Sequence, residues 1–156
     1  YHRTLFPISS WITQHLGRVF AKENHVSQVQ EQIEARGKPQ LSATDAVTEL
    51  VITDEVIGEG DEVTVGATVT AHYVGVSASS GNQFDASWDR GAPISFPLNG
   101  VIQGWSEGLI GMKVGGRRTL VIPGAMAYGP NPPPGAGIAP NETLVFTVDL
   151  VDVSWR

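Results

Sequence analysis

The sequence predicts an α+β fold: an antiparallel sheet packed over one short helix, preceded by a separate helical segment. Three observations predict it. The apolar period shifts near residue 48 from helical spacing to alternation. Sixteen of the 18 glycines lie from Gly58 onward, so turns must be dense there. Between the alternating segments only one short helical pattern occurs, at Val101–Met112.

The first element is a helix over residues 10–36. Ile12, Leu16, Val19, Val26 and Ile33 form a stripe that Glu23 and Gln30 interrupt. Ser9 or Ser10 can cap it, and Gly37-Lys38-Pro39 stops it. A single helix cannot bury its own stripe, so it docks on the body, pairs with a copy of itself or frays. Residues 38–47 read as a linker.

Glu49–Ile57 reads as a strand ended by Gly58-Glu59-Gly60. Thr68–Val76 alternates, with Val69, Ala71 and Tyr73 on one face and Thr70, His72 and Val74 on the other, which predicts a half-buried antiparallel strand. Ser77–Asn82 is small and polar, a hairpin tip. Phe84-Asp85 and Ile94–Leu98 flank a turn at Arg90-Gly91-Ala92-Pro93. In Val101–Met112, Trp105, Leu109 and Met112 fall at core spacing. Arg117–Ile122 is a short strand stopped by Pro123. Thr143–Val153 is the longest, and its run Leu144-Val145-Phe146 predicts burial on both faces. Residues 123–142 hold six prolines and four glycines, so they form a long, semi-stiff loop.

Composition narrows the function. The chain has 156 residues, about one domain, and 41% hydrophobic content suits a packed core. Its formal net charge of −6 argues against nucleic acid and anionic membranes, which need a basic face. Residues 1–40 carry five basic and three acidic side chains, whereas residues 41–156 carry five and thirteen. Zero cysteines exclude a disulfide scaffold, a thiolate metal site and a cysteine nucleophile. No apolar run reaches the ~20 residues that span a bilayer. The first residues lack a secretory leader's apolar stretch and cleavage site, so cytoplasm is the expected compartment.

Motifs for covalent chemistry fail one by one. Gly104-Trp105-Ser106-Glu107-Gly108 fits a nucleophile elbow, but all four histidines (His2, His15, His25 and His72) precede Ser106, the wrong order for that triad. The histidines lack metal-ligand spacing, and Asp54-Glu55 and Asp61-Glu62 lack the pattern of a calcium loop. No phosphate loop is present. Neither a metal nor a cofactor is expected. What remains is an excess of aromatic residues over strands, helix and loop, at Tyr73, Phe84, Phe96, Trp105, Tyr128 and Phe146.

Six blocks in order then become informative together: Ala71-His72-Tyr73-Val74-Gly75, Phe84-Asp85-Ala86-Ser87, Val101-Ile102-Gln103-Gly104-Trp105, Gly108 to Gly115, Ala127-Tyr128-Gly129 and Thr143-Leu144-Val145-Phe146. With them the sequence from about residue 48 onward resembles the FKBP-type peptidyl-prolyl cis-trans isomerases, the macrolide-binding immunophilins. The resemblance implies a five-stranded antiparallel half-barrel around one short helix. It divides the chain into a helical segment and linker, 1–42, and an isomerase domain, 43–156. It also implies an apolar pocket between sheet and helix. Trp105 would be its floor, Asp85 would sit at the wall with Tyr73 and Arg90, and the Ile102 N–H and Tyr128 hydroxyl would bond substrate carbonyls. Phe84, Ile94, Phe96, Val101, Ile138 and Phe146 would complete the lining. Ile94 stands where the family often carries an aromatic residue, and the loop after Tyr128 is unusually rich in proline.

The reaction so implied is rotation of X–Pro bonds in protein folding, with proline-containing peptides or unfolded clients as partners and macrolides such as tacrolimus or rapamycin as inhibitors. Two other classes stand beside it: a pocket that binds proline or macrolides without turnover, and a chaperone whose N-terminal helix binds clients or dimerises.

Overall fold

The computed structural model describes the backbone of residues 6–155 and the side chains of residues 21–155. Helix α1 spans Phe6–Arg36. Strand β1 (Val51–Val56) follows an extended segment, then β2 (Thr68–Ser77), β3 (Gln83–Ala86), a 3-10 turn (Ser87–Arg90) and β4 (Ile94–Pro97). Helix α2 (Gln103–Gly108), β5 (Arg117–Ile122) and β6 (Leu144–Ser154) complete the chain. All pairings are antiparallel, in the order β1-β5-β6-β2-β3.

The sheet has six strands, yet it is five positions wide. β2 pairs with β3 through residues 74–76 and with β4 through residues 68–71. The 3-10 turn Ser87–Arg90 divides what would otherwise be one outer strand, and it carries Arg90 at its end. β6 lies at the centre, paired with β5 and β2, and is buried along nearly its whole length, as its apolar run predicts.

Helix α2 packs on the β5 side of the sheet. A Cβ at Gly104 would meet the Ile122 side chain at 2.4 Å, and one at Gly108 would meet Leu120 at 3.0 Å. Gly104 and Gly108 are therefore contact points between helix and strand. Ser106 between them donates to the Gln103 carbonyl at 3.1 Å, an ordinary back-bond within the helix. The expected helix over residues 101–112 is shorter in the structure. It closes at Leu109, whose N–H bonds the Trp105 carbonyl, and the chain then turns at Gly111 with φ of +85°. Leu109 and Met112 are buried all the same.

The other face of β2 is not half-exposed. From β2, His72, Val74 and Val76 are all buried. The end of α1 and the segment after it lie over them. Val29 and Ile33 enter the core, and Leu41 packs with Val74, Val76 and Val145. The Thr44 N–H bonds the Ala78 carbonyl at 2.9 Å, and the Val47 N–H bonds Thr143 Oγ1 at 3.2 Å. Residues 38–47 thus form a strap bound to the sheet, not a free linker. Of the expected stripe, Val26 and Ile33 take part; the side chains of Ile12, Leu16 and Val19 lie outside those described. The C-terminal half of α1 docks.

Ion pairs hold that docking in place. Asp149 is fully buried on β6 and receives Arg117 from β5 at 2.8 and 3.1 Å and Arg36 from α1 at 3.3 Å. The Arg117 and Arg36 guanidinium groups also donate to the carbonyls of Gly37 and Gly115, respectively. Among the described residues no helix is long and apolar enough to cross a membrane.

Candidate active site

An open cavity of roughly 460 Å³ lies between the sheet and α2. Its floor is the Trp105 indole, 4% exposed, in the first turn of α2. Three rings stand nearly perpendicular to that indole. Their centroids lie 5.1 Å away for Phe96 on β4, 5.3 Å for Phe146 on β6 and 5.4 Å for Tyr73 on β2. Phe84 on β3 continues the wall, edge to face with Phe146 at 5.5 Å. Edge-to-face contacts suit the ring quadrupoles, so the cup is self-supporting without a ligand. The rings come this close to the sheet because Gly75 has no side chain: a Cβ there would lie 2.6 Å from Phe146 and 2.7 Å from Phe84. The indole Nε1–H of Trp105 is buried without a protein acceptor.

One wall is polar. The Tyr73 hydroxyl donates to Asp85 Oδ2 at 2.5 Å, while Arg90 donates to Asp85 Oδ1 and to the Tyr73 hydroxyl oxygen, both at 2.7 Å. The Arg90 guanidinium also lies 5.9 Å from the centre of the Tyr73 ring. Burial, followed by the hydrogen bond to Asp85, pushes the Tyr73 phenol up to about 12. Burial alone would raise the Asp85 carboxyl, but hydrogen bonds from Arg90 and Tyr73 outweigh it and hold the group below its ordinary range. Bonds to Asp85 and Tyr73 raise Arg90 in turn. Asp85 is therefore ionised and Tyr73 neutral at neutral pH, with both in fixed orientations.

The mouth is made of backbone and loop. Ile102 is the N-cap of α2 and supplies its carbonyl to the N–H groups of Trp105 and Ser106. Its own N–H precedes the helical turn, where no intrahelical acceptor exists. Val101 and Ile102 line the cavity on this side, and exposed Tyr128 stands at the rim. The loop that carries Tyr128 is tied at its base, where the Asn141 N–H bonds the Gly129 carbonyl at 2.8 Å.

The cavity thus brings together Tyr73, Phe84, Asp85, Phe96, Val101, Ile102, Trp105, Tyr128 and Phe146. Ile94 and Ile138 pack against the core cluster outside that lining, and Arg90 acts through Tyr73 and Asp85. Gly100 also lines the cavity and was not foreseen. A residue without a side chain offers only its position before Val101 as a clue. Among the described residues no acidic or histidine cluster could hold a metal ion. His72 does bond a serine, Ser87, but Ser87 is fully buried and cannot meet a substrate.

The cavity thus combines an aromatic cup, one ionised polar wall and, at the mouth, the start of α2 and the Tyr128 loop. The family model of the FKBP-type peptidyl-prolyl cis-trans isomerases matches residues 60–151. The probable FK506-binding protein of Corynebacterium glutamicum is 52% identical over 117 residues, covering 73% of this chain and 97% of that protein. The FK506-binding protein of Streptomyces anulatus is 52% identical over 107 residues, 67% of this chain and 86% of the other. Among solved structures, that of FkpA from Escherichia coli covers 98% of this chain and 71% of its own, with a TM-score of 0.63 and 35% identity. The chain belongs to the FKBP-type peptidyl-prolyl cis-trans isomerase family and is an enzyme of that class.

Proposed function

We propose that this cup receives the ring of a proline within an extended peptide or unfolded client and speeds rotation about the preceding amide bond. The observation that carries the reading is the Trp105 indole walled on three sides by Tyr73, Phe96 and Phe146. The uncatalysed barrier is about 18–20 kcal/mol, because resonance gives the C–N bond partial double character. The cis and trans ground states differ by only about 0.5–1 kcal/mol, so rotation is slow but nearly balanced. No bond breaks and no proton changes owner, so a nucleophile is not needed.

The twisted transition state loses resonance and its charge separation. A dry, apolar cup disfavours the planar, polarised amide more than the twisted one. In this reading Trp105 seats the ring, and Phe84, Phe96, Val101 and Phe146 exclude water. The Ile102 N–H and the Tyr128 hydroxyl take substrate carbonyls, Asp85 faces the rotating imide, and Tyr73 and Arg90 fix Asp85. Ile94 and Ile138 act from behind the lining. A rate gain of ~10⁵ needs about 7 kcal/mol, an amount that a few such differential contacts supply. We extend to this chain the FK506 binding carried in its relatives' names, with tacrolimus and rapamycin occupying the same cup. Residues 43–156 are taken as the catalytic unit and the cytoplasm as its compartment.

The test is NMR exchange on a short X–Pro peptide, with and without rapamycin. Catalysed exchange that rapamycin abolishes supports the reading. Rapamycin binding without catalysed exchange would leave a binding module instead.

A further inference from the structure

A polar cluster behind Tyr73 has no part in the chemistry above. His72 is 1% exposed and stacks on Trp88 with ring centroids 4.3 Å apart. Its Nδ1 lies 2.8 Å from Ser87 Oγ, and its Nε2 lies 2.8 Å from Glu34 Oε2 at the end of α1. Ser87 Oγ accepts the Tyr73 N–H at 2.7 Å and lies 3.4 Å from the Tyr73 carbonyl. A carboxylate oxygen accepts, so His72 donates from Nε2 to Glu34, and its other ring nitrogen is tied to the Ser87 hydroxyl.

A second contact falls beside it. Lys38 Nζ donates to Asp89 Oδ1 at 2.8 Å, and Gln83 holds the other Asp89 oxygen at 2.6 Å. Ser87, Trp88 and Asp89 are three of the four residues of the 3-10 turn, and the fourth is Arg90. Such a short turn has poor hydrogen bonding of its own, so its geometry depends on what holds it from outside.

We infer that Glu34 and Lys38 are positioning residues: Glu34 at the end of α1, through His72, and Lys38 just beyond the helix clamp the Ser87–Arg90 turn and thereby aim Arg90 at Asp85 and the Tyr73 hydroxyl. The inference rests on the reading of that polar wall as part of the isomerase site. It makes the polar wall of the catalytic unit depend on two residues that precede that unit, Glu34 and Lys38. Arg36 provides the contrast. It lies on the same end of α1 but bonds Asp149 and the Gly115 carbonyl, neither of them on the turn.

The experiment compares the full chain with Glu34→Ala, Lys38→Ala, the double variant, Glu34→Gln and Arg36→Ala. It measures kcat/KM for an X–Pro peptide, unfolding midpoints, and the ¹⁵N signals of the His72 ring and Arg90 Nε. The double variant is expected to lose roughly threefold to tenfold in kcat/KM and to shift the Arg90 signal. Glu34→Gln restores most of the rate, because its amide oxygen still accepts from His72. Arg36→Ala weakens docking but keeps the wild-type rate and Arg90 signal. If the double variant does not fold, Lys38→Ala alone decides, with a smaller loss and an Arg90 shift of the same sign. A wild-type rate and Arg90 signal in the clamp variants overturn the inference. So do losses that track unfolding midpoints equally in Arg36→Ala. If the unmodified chain fails to rotate the peptide, the functional reading fails, while the Arg90 and His72 signals still decide the clamp.

Discussion

The Tyr73 hydroxyl and the Asp85 carboxylate share a 2.5 Å hydrogen bond at the wall of the cup, and Arg90 grips both partners. Removing Asp85 leaves the Tyr73 hydroxyl without its acceptor and Arg90 with only the Tyr73 oxygen. Asp85→Val is expected to lower kcat/KM for an X–Pro peptide by about tenfold, with a smaller loss in Tyr128→Phe at the rim. NMR exchange at matched enzyme concentration measures both. Unchanged rates in the two variants would remove these residues from the mechanism.

Ionisation of Tyr73 links this wall to stability at alkaline pH. Its phenol is held at about 12 in the fold, against about 10 in an unfolded chain. The folded state therefore keeps a proton that the unfolded state loses. The contribution is complete below pH 10 and is lost as pH rises from 10 toward 12. Its full size is on the order of 2–3 kcal/mol. Denaturant midpoints of the wild type should fall over that window more steeply than those of Tyr73→Phe, and parallel curves would refute the linkage.

Asp85 works in the opposite direction. Its carboxyl is held below the ordinary range, so the folded state loses its proton more readily than the unfolded chain does. The resulting stability is present above the unfolded carboxylate value of about 4 and disappears as pH falls through the lower folded value. Acid titration of unfolding should show a milder decline in Asp85→Asn than in the wild type.

Local punctuation explains what could be read from the chain. β5 was legible because Pro123 stops a short run, and β6 because Leu144-Val145-Phe146 admits no exposed face. The aromatic members of the cup could be listed, but their convergence is a property of the sheet's register. Tyr73 and Phe146, for instance, lie on neighbouring strands offset by two residues, since Tyr73 pairs with Val148. The face of β2 that holds His72 and Val74 looked half-exposed because the residues that cover it, Glu34 and Leu41, come from more than 30 positions away. Alternation reports a strand's own pattern and carries no record of a distant strap. The short α2 has a similar cause: the apolar spacing continues past Gly108, while the helix does not.

Two glycines of α2 should respond differently to a methyl group. At Gly104 the added Cβ meets Ile122 at 2.4, 2.6 and 2.8 Å, and Ile122 is fully buried in β5. At Gly108 the nearest atoms are the two terminal methyls of Leu120, both at 3.0 Å. Gly104→Ala is expected to cost about 1–3 kcal/mol through overpacking. Gly108→Ala should stay within about 1 kcal/mol of the wild type, because side-chain yielding is offset by the helix preference for alanine. Because Gly104 precedes Trp105, the first variant should also alter indole fluorescence. Equal midpoints in the two variants would contradict this account of helix–sheet contact.

Asp149 provides the sharpest test of how the N-terminal segment is held. Its carboxylate is fully buried and joins β6, β5 and α1 through Arg117 and Arg36. Asp149→Ala leaves Arg117, only 14% exposed, without its carboxylate. Loss of one member of a buried pair costs about 3–5 kcal/mol. Here the lower end is expected, because Arg117 keeps the Gly37 carbonyl and Arg36 keeps the Gly115 carbonyl as acceptors. Replacement of Arg36 alone should cost less than about 1 kcal/mol, since its side chain is more exposed than that of Arg117 and Asp149 retains two bonds from Arg117. Hydrogen exchange adds the local readout: amides at the end of α1 should lose protection in Asp149→Ala before those of β6 do. If α1 and β6 lose protection together, the helix and the sheet unfold as one unit and the segment is not separately held.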